Sequence, residues 1–172
     1  MILYLLRHTD ALPIGENGNV DDRKRPLSEK GDKRAQKVGQ ACNVLDLKFD
    51  VLLTSGYLRA KQTAELAATQ FAVPMRATVT KTLASDADPR AFIQLLLERY
   101  TGGAHILAVG HEPFLAALAG LLLDTGSDSL VLKKGSLLAL EIVEPLHEGK
   151  CARLLWSLSP NHLSLLAKLA NR

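Results

Sequence analysis

Four side chains in this sequence are of types suited to chemistry on an anion. Arg7 and His8 follow directly on an apolar run, Arg59 lies just past Thr54-Ser55, and His111 sits in Gly110-His111-Glu112-Pro113. A guanidinium stays charged at any working pH, and its planar fork matches phosphate oxygens. A neutral imidazole is a nucleophile near pH 7, and cationic neighbours keep it neutral by lowering its pKa. Two arginines and two histidines around one point repel one another unless an anion joins them. Brought together, they would suit a dianionic tetrahedral group, and the arginines would spread the charge of a phosphoryl group in transfer. Taken singly, His8 and His111 read equally well as hydrogen-bonded structural histidines. A metal site from His8, Asp10 and His111 is a weaker alternative, because the adjacent arginines repel a divalent cation. Ser55 reads as a helix cap rather than a nucleophile, and neither a Gly-x-Ser-x-Gly elbow nor a Walker loop occurs.

Bringing the four together requires a particular framework. Short apolar runs alternate with helix-length periodic stretches, the pattern of an α/β domain. Ile2 to Leu6, Asp50 to Thr54 and His105 to Val109 read as buried strands, and Met75 to Val79 as a weaker one. Ser28 caps a helix with Ala35, Val38, Cys42 and Leu45 inward; further helices run from Tyr57 to Phe71, from Arg90 to Tyr100 and from Pro113 onward. Leu130 to Leu132, Ser136 to Val143 and Ala152 to Ser157 read as late strands, partly an edge hairpin. Pro160 opens a last helix to Leu169. The expected fold is a three-layer α/β/α sandwich whose central sheet is mostly parallel, with a late antiparallel edge hairpin. In such a sheet right-handed crossovers bring the carboxyl ends of the strands to one edge, where ligands bind. Each of the four residues lies at or just beyond such an end.

The residues also resemble a known family. Leu5-Leu6-Arg7-His8-Thr9-Asp10, Arg25-Pro26-Leu27-Ser28, Thr54-Ser55-Gly56-Tyr57-Leu58-Arg59 and Gly110-His111-Glu112-Pro113 are similar to the motifs of the histidine phosphatase (phosphoglycerate mutase-like) superfamily, most of all its short phosphohistidine phosphatase branch, the SixA type. The resemblance implies that His8 takes the phosphoryl group, that Arg7, Arg59 and His111 hold its oxygens, and that no metal or other cofactor takes part. Thr9 stands where the family usually has Gly, and Gly56 where it has Pro. Thr9 and Arg25 are expected to contribute to anion binding. Many relatives place a Glu after the third strand as proton donor; here that stretch reads Leu83-Ala84-Ser85-Asp86, with Ser85 in the acid's place. Asp86 could substitute, and Glu16, Asp21 or Asp22 of the first loop are weaker candidates. A missing acid favours phosphohistidine over phosphate esters, because an imidazole leaves more easily than an alkoxide.

Composition bounds the reading. A length of 172 residues suits one domain, residues 1–172, and a net charge of +3 is too small to argue for nucleic acid or membrane. Arg7 and His8 interrupt the opening apolar run too early for a signal peptide, and Phe114 to Leu123 is too short for a membrane span. Cys42 and Cys151 lack metal-ligand spacing and read as buried thiols in a reducing cytoplasm. His105, His147 and His162 are not expected to take part in function. The expected partner is a histidine-phosphorylated protein, such as a phosphotransfer domain, with phosphate or vanadate as small ligands. Arg23-Lys24-Arg25 would grip an acidic surface or simply face solvent. Alternatives are a general small-molecule phosphomonoesterase and a noncatalytic phosphate-binding scaffold.

Overall fold

The computed structural model describes residues 1–18, 20–100, 102–143 and 150–170; His147 lies outside the described residues. Among these, one sheet holds β1 (Ile2–Arg7), β2 (Val51–Thr54), β3 (Thr78–Val79), β4 (His105–Gly110), β5 (Leu137–Ile142) and β6 (Ala152–Leu158), in the order β3-β2-β4-β1-β5-β6. β1, β2, β3 and β4 pair in parallel, while β5 runs antiparallel to both β1 and β6. The helices are α1 (Glu29–Val44), α2 (Leu58–Ala68), α3 (Pro89–Arg99), α4 (Phe114–Leu123) and α5 (Pro160–Ala167).

Strand alternation builds the three layers. Leu3 and Leu5 of β1 face one apolar cluster with Phe92, Leu96, Leu115 and Leu118 of α3 and α4. Tyr4 and Leu6 face the other, with Val38, Ala60, Ala64 and Leu163 of α1, α2 and α5. A strand buried on both faces is apolar at every position, which explains the uninterrupted run from Ile2 to Leu6. Ser28 caps α1 by accepting from the Gly31 amide, Asp88 caps α3 ahead of Pro89, and Ser159 caps α5 ahead of Pro160.

Several boundaries differ from the sequence expectation. Leu130 to Leu132 is irregular rather than a strand. The Leu132 carbonyl accepts from the Arg7 guanidinium, and the turn closed by Ser136 N–H on the Lys133 carbonyl reverses the chain before a ladder can form. The third strand is only Thr78–Val79, both exposed. α2 ends at Ala68 rather than Phe71, and α5 at Ala167 rather than Leu169. Leu45 is the half-buried C-cap of α1 rather than part of its inward face. The edge hairpin is present as β5 and β6, with an irregularity between Ala139 and Leu140.

Candidate active site

The carboxyl ends of β1, β2 and β4 meet along one edge of the sheet, and β1 and β4 are locked there in register, Arg7 opposite Gly110. His8 N–H donates to the Gly110 carbonyl, and Gly135 N–H reaches the carbonyls of both Arg7 and His8. This fixed backbone brings the four singled-out residues into one hollow. The His8 and His111 rings lie 5.0 Å apart, and Arg59 Nε donates to His8 Nε2 at 3.2 Å. His8, Arg59 and His111 are almost wholly buried, and Arg7 is half-buried beside them. Arg7 Nη1 is anchored on the Leu132 carbonyl at 2.7 Å, while its Nε is buried with no protein partner.

A hydrogen bond fixes the His8 tautomer and another orients His111. His8 Nδ1 lies 2.7 Å from the Thr9 carbonyl, which can only accept. The ring proton is therefore on Nδ1, and Nε2 presents a lone pair. Ser55 Oγ lies 2.6 Å from His111 Nε2 and also accepts from the Tyr57 amide at 3.3 Å. A hydroxyl oxygen accepts up to two hydrogen bonds, so the pair serves either His111 tautomer; with Ser55 donating to Nε2, the ring proton sits on Nδ1, a buried nitrogen with no protein partner. Ser55 is thus the orienter of His111 rather than a side-chain cap of α2, whose N-cap is Tyr57.

Burial is the first cause of the low histidine pKa values. It brings His8 down to about 4, aided by the charges of Arg59, Arg7 and Lys134 and opposed by the bond to Thr9. Burial likewise takes His111 to about 3, with His8 and Arg59 adding to it. Loss of water, rather than the cationic neighbours expected from the sequence, is the larger effect.

The remaining expected residues fall elsewhere. Thr9 is fully buried and does not face the hollow: its hydroxyl donates to the Gly31 carbonyl and its amide to Thr63 Oγ1. Arg25 is spent on the loop, with Nε on the Leu12 carbonyl and Nη1 on Asp22 Oδ1. Asp86 is exposed, and its charge acts on Arg23 at the rim. Ser85 Oγ donates to the Tyr57 hydroxyl at 3.2 Å. Asp10 is ion-paired with Arg34, so the trio with His8 and His111 is not assembled as a metal site.

Three residues at the hollow were not read from the sequence in the positions they take. The Tyr57 ring packs 4.6 Å from His111 and beneath the Arg59 guanidinium at 4.9 Å, forming a wall for both. Glu112 is half-buried next to Arg7, with Oε2 accepting from the Ala116 amide. Burial raises its carboxyl pKa against the pull of that amide and of Arg7. Asp22 accepts from Arg59 Nη2 at 3.1 Å through Oδ2 and from Arg59 Nη1 at 2.7 Å through its backbone carbonyl. Burial works to raise the Asp22 carboxyl, but Arg25 and Arg59 outweigh it and hold it below the usual carboxylate value. The sequence signal for Tyr57 was its place two residues before Arg59; nothing in the spacing pointed to Glu112 or to Asp22 as the partner of Arg59.

Comparisons with known proteins agree with the fold. The sequence pattern of the histidine phosphatase superfamily (branch 1) matches residues 3–83, which include Arg7, His8 and Arg59. An uncharacterised protein of Picosynechococcus sp. is 35% identical over 143 residues, 81% of this chain and 84% of that protein. The protein histidine phosphatase SixA, solved with tungstate, superposes with a TM-score of 0.82 at 22% identity, covering 95% of this chain and 99% of that one. The alpha-ribazole phosphatase of Shigella flexneri gives a TM-score of 0.69 at 21% identity, covering 93% and 97%. The structural likenesses speak to the fold, and the sequence match speaks to descent. The chain belongs to the histidine phosphatase superfamily.

Proposed function

We propose that this protein hydrolyses phosphohistidine on a partner protein, carrying the phosphoryl group on His8 between two displacements. His8 Nε2, free of a proton, would attack phosphorus. Arg7, Arg59 and the Nδ1–H of His111 would hold the phosphoryl oxygens, where fixed charge and buried donors do most of the catalytic work. Tungstate in the SixA structure is a tetrahedral oxyanion, and phosphate and vanadate are the corresponding guests here. The partner class is a phosphotransfer domain of a two-component relay, met in the cytoplasm. Among the described residues no helix is long and apolar enough to cross a membrane.

One observation carries the substrate assignment. The carboxyl group bonded to Arg59, that of Asp22, is held as an anion and cannot act as a proton donor near neutral pH. An alkoxide leaving group needs such a donor, whereas a phosphohistidine protonated on its distal ring nitrogen does not. When His8 Nε2 bonds to phosphorus, the old N–P bond pair goes to the leaving ring, which departs as neutral imidazole. Water then adds to phosphorus, the bond pair returns to His8 Nε2, and dihydrogen phosphate leaves with both water protons. His8 keeps its Nδ1 proton on Thr9 throughout.

The test is phosphate release from a histidine-phosphorylated phosphotransfer domain by wild type and His8→Ala. Wild type should turn the domain over, and the variant should lose about 10³-fold or more. Full activity of His8→Ala would overturn the reading. A second reading, a general phosphomonoesterase, is favoured by Glu112, whose raised carboxyl stands beside Arg7 in a cleft of about 420 Å³. Comparable wild-type turnover of a sugar phosphate in the same assay would support it.

A further inference from the structure

Asp22 stands on the hollow's rim as a charge that a plain phosphate site does not need. Arg59, its neighbour, is the guanidinium bonded to His8, and Arg59 Nη1 and Nη2 both donate to Asp22. The Asp22 charge also reaches the His111 ring. Arg25 braces the carboxylate from behind through Oδ1 at 2.7 Å, and the Asp21 side chain caps the short 3-10 turn Asp22–Lys24 on which Asp22 sits. Yet the Asp22 side chain remains 42% exposed, so the carboxylate keeps an open side.

A fixed negative charge next to an anion seat weakens the binding of any anion there, since like charges a few ångströms apart repel. The cost is offset only for a substrate that brings a positive group along with its negative one. A phosphoryl group on a protonated imidazole has that pattern, with the anion on phosphorus and the positive charge on the ring behind it. A sugar phosphate or a phenyl phosphate has a neutral group there, which becomes anionic as the bond breaks.

We infer that Asp22 is a specificity residue, its carboxylate accepting a hydrogen bond from the protonated distal ring nitrogen of phosphohistidine and so selecting a cationic leaving group over an alcohol. The inference rests on the phosphohistidine reading above and names the group that enforces it. In the transfer step the distal N–H stays with the leaving ring and on Asp22. The ring loses its positive charge by receiving the N–P bond pair, so Asp22 neither gains nor loses a proton.

The experiment compares wild type, Asp22→Asn and Asp22→Ala on two probes, a histidine-phosphorylated phosphotransfer domain and p-nitrophenyl phosphate. Asn keeps an oxygen for Arg59 and loses the charge. Asp22→Asn should lower kcat/KM on the phosphohistidine probe at least tenfold more than on the phenyl ester. The selectivity ratio then shifts by at least tenfold. Asp22→Ala, which also removes the brace on Arg59, should lower both. Equal losses of Asp22→Asn on the two probes would show that Asp22 only holds Arg59, and no change on either would show that it does nothing; both outcomes overturn the inference. If wild type fails to release phosphate from the phosphohistidine probe, the functional reading itself fails and the inference falls with it.

Discussion

Thr9 fixes a proton on His8 and Ser55 holds the His111 ring, and the chemistry depends on how the two rings are presented. The Thr9 carbonyl keeps the His8 proton on Nδ1, and Ser55 Oγ, 2.6 Å from His111 Nε2, orients the His111 ring. Replacing Ser55 by Ala leaves His111 Nε2 without its partner and frees the ring to turn. For Ser55→Ala, kcat/KM should fall about tenfold, about 1.4 kcal/mol of barrier. Ser55→Thr, which keeps the hydroxyl, should recover most of it; steady-state kinetics on the phosphohistidine probe decide. At this scale the sequence was legible where residue type alone carries the chemistry, as for Arg7, His8, Arg59 and His111. It was not legible where a hydrogen-bond partner is distant in the chain. Thr9 is bound by Thr63, 54 positions on, and Arg59 is met by Asp22, 37 positions back. Neither pairing has a local signature, so Thr9 read as an anion ligand and Asp22 as a minor candidate acid.

The elements were legible because apolar runs report burial. β1, β2 and β4 have buried side chains on both faces and were found nearly to the residue. Thr78–Val79 was harder to delimit, since an exposed edge strand carries no pattern of burial. Leu130 to Leu132 misled for the opposite reason: Leu132 is apolar and buried, but its carbonyl serves Arg7 instead of a neighbouring strand. The contact between α1 and α2 was invisible, because a glycine marks it. A Cβ built on Gly39 would lie 2.2 Å from the Ala67 carbonyl oxygen and 2.8 Å from Gln70 Cβ. Gly39→Ala should therefore destabilise the protein by about 1–3 kcal/mol despite the better helix propensity of alanine. Urea unfolding measures this, and a neutral or stabilising result would mean that the two helices can separate freely.

At the scale of the whole molecule, the low histidine pKa values become a dependence of stability on pH. An imidazole in the unfolded chain titrates near about 6.5, while His8 and His111 titrate at about 4 and about 3 in the fold. Between those values the unfolded chain binds more protons, so stability rises with pH across the window. The contribution is full above about 6.5 and is lost as the pH falls toward the folded values. In anion-free buffer Tm should drop from pH 7 to pH 5, and His8→Ala should flatten the slope. Phosphate or vanadate should raise Tm of wild type, because an anion relieves the clustered positive charge and binds only the folded state. Calorimetry showing no response to either ion would count against the hollow as an anion seat.

The reversed direction of β5 has one more consequence. Because it runs against β1, it is the beginning of β5 that arrives at the edge where the other strands finish, and Gly135 N–H staples that arrival to Arg7 and His8. The stretch between Asp124 and Lys134 must therefore travel past the doorway of the hollow before it can join the sheet. Extra residues spliced in after Gly126 would grow outward as an awning over the entrance without disturbing a single strand. Evolution or an engineer could thus narrow the range of admitted guests there while leaving the machinery beneath untouched.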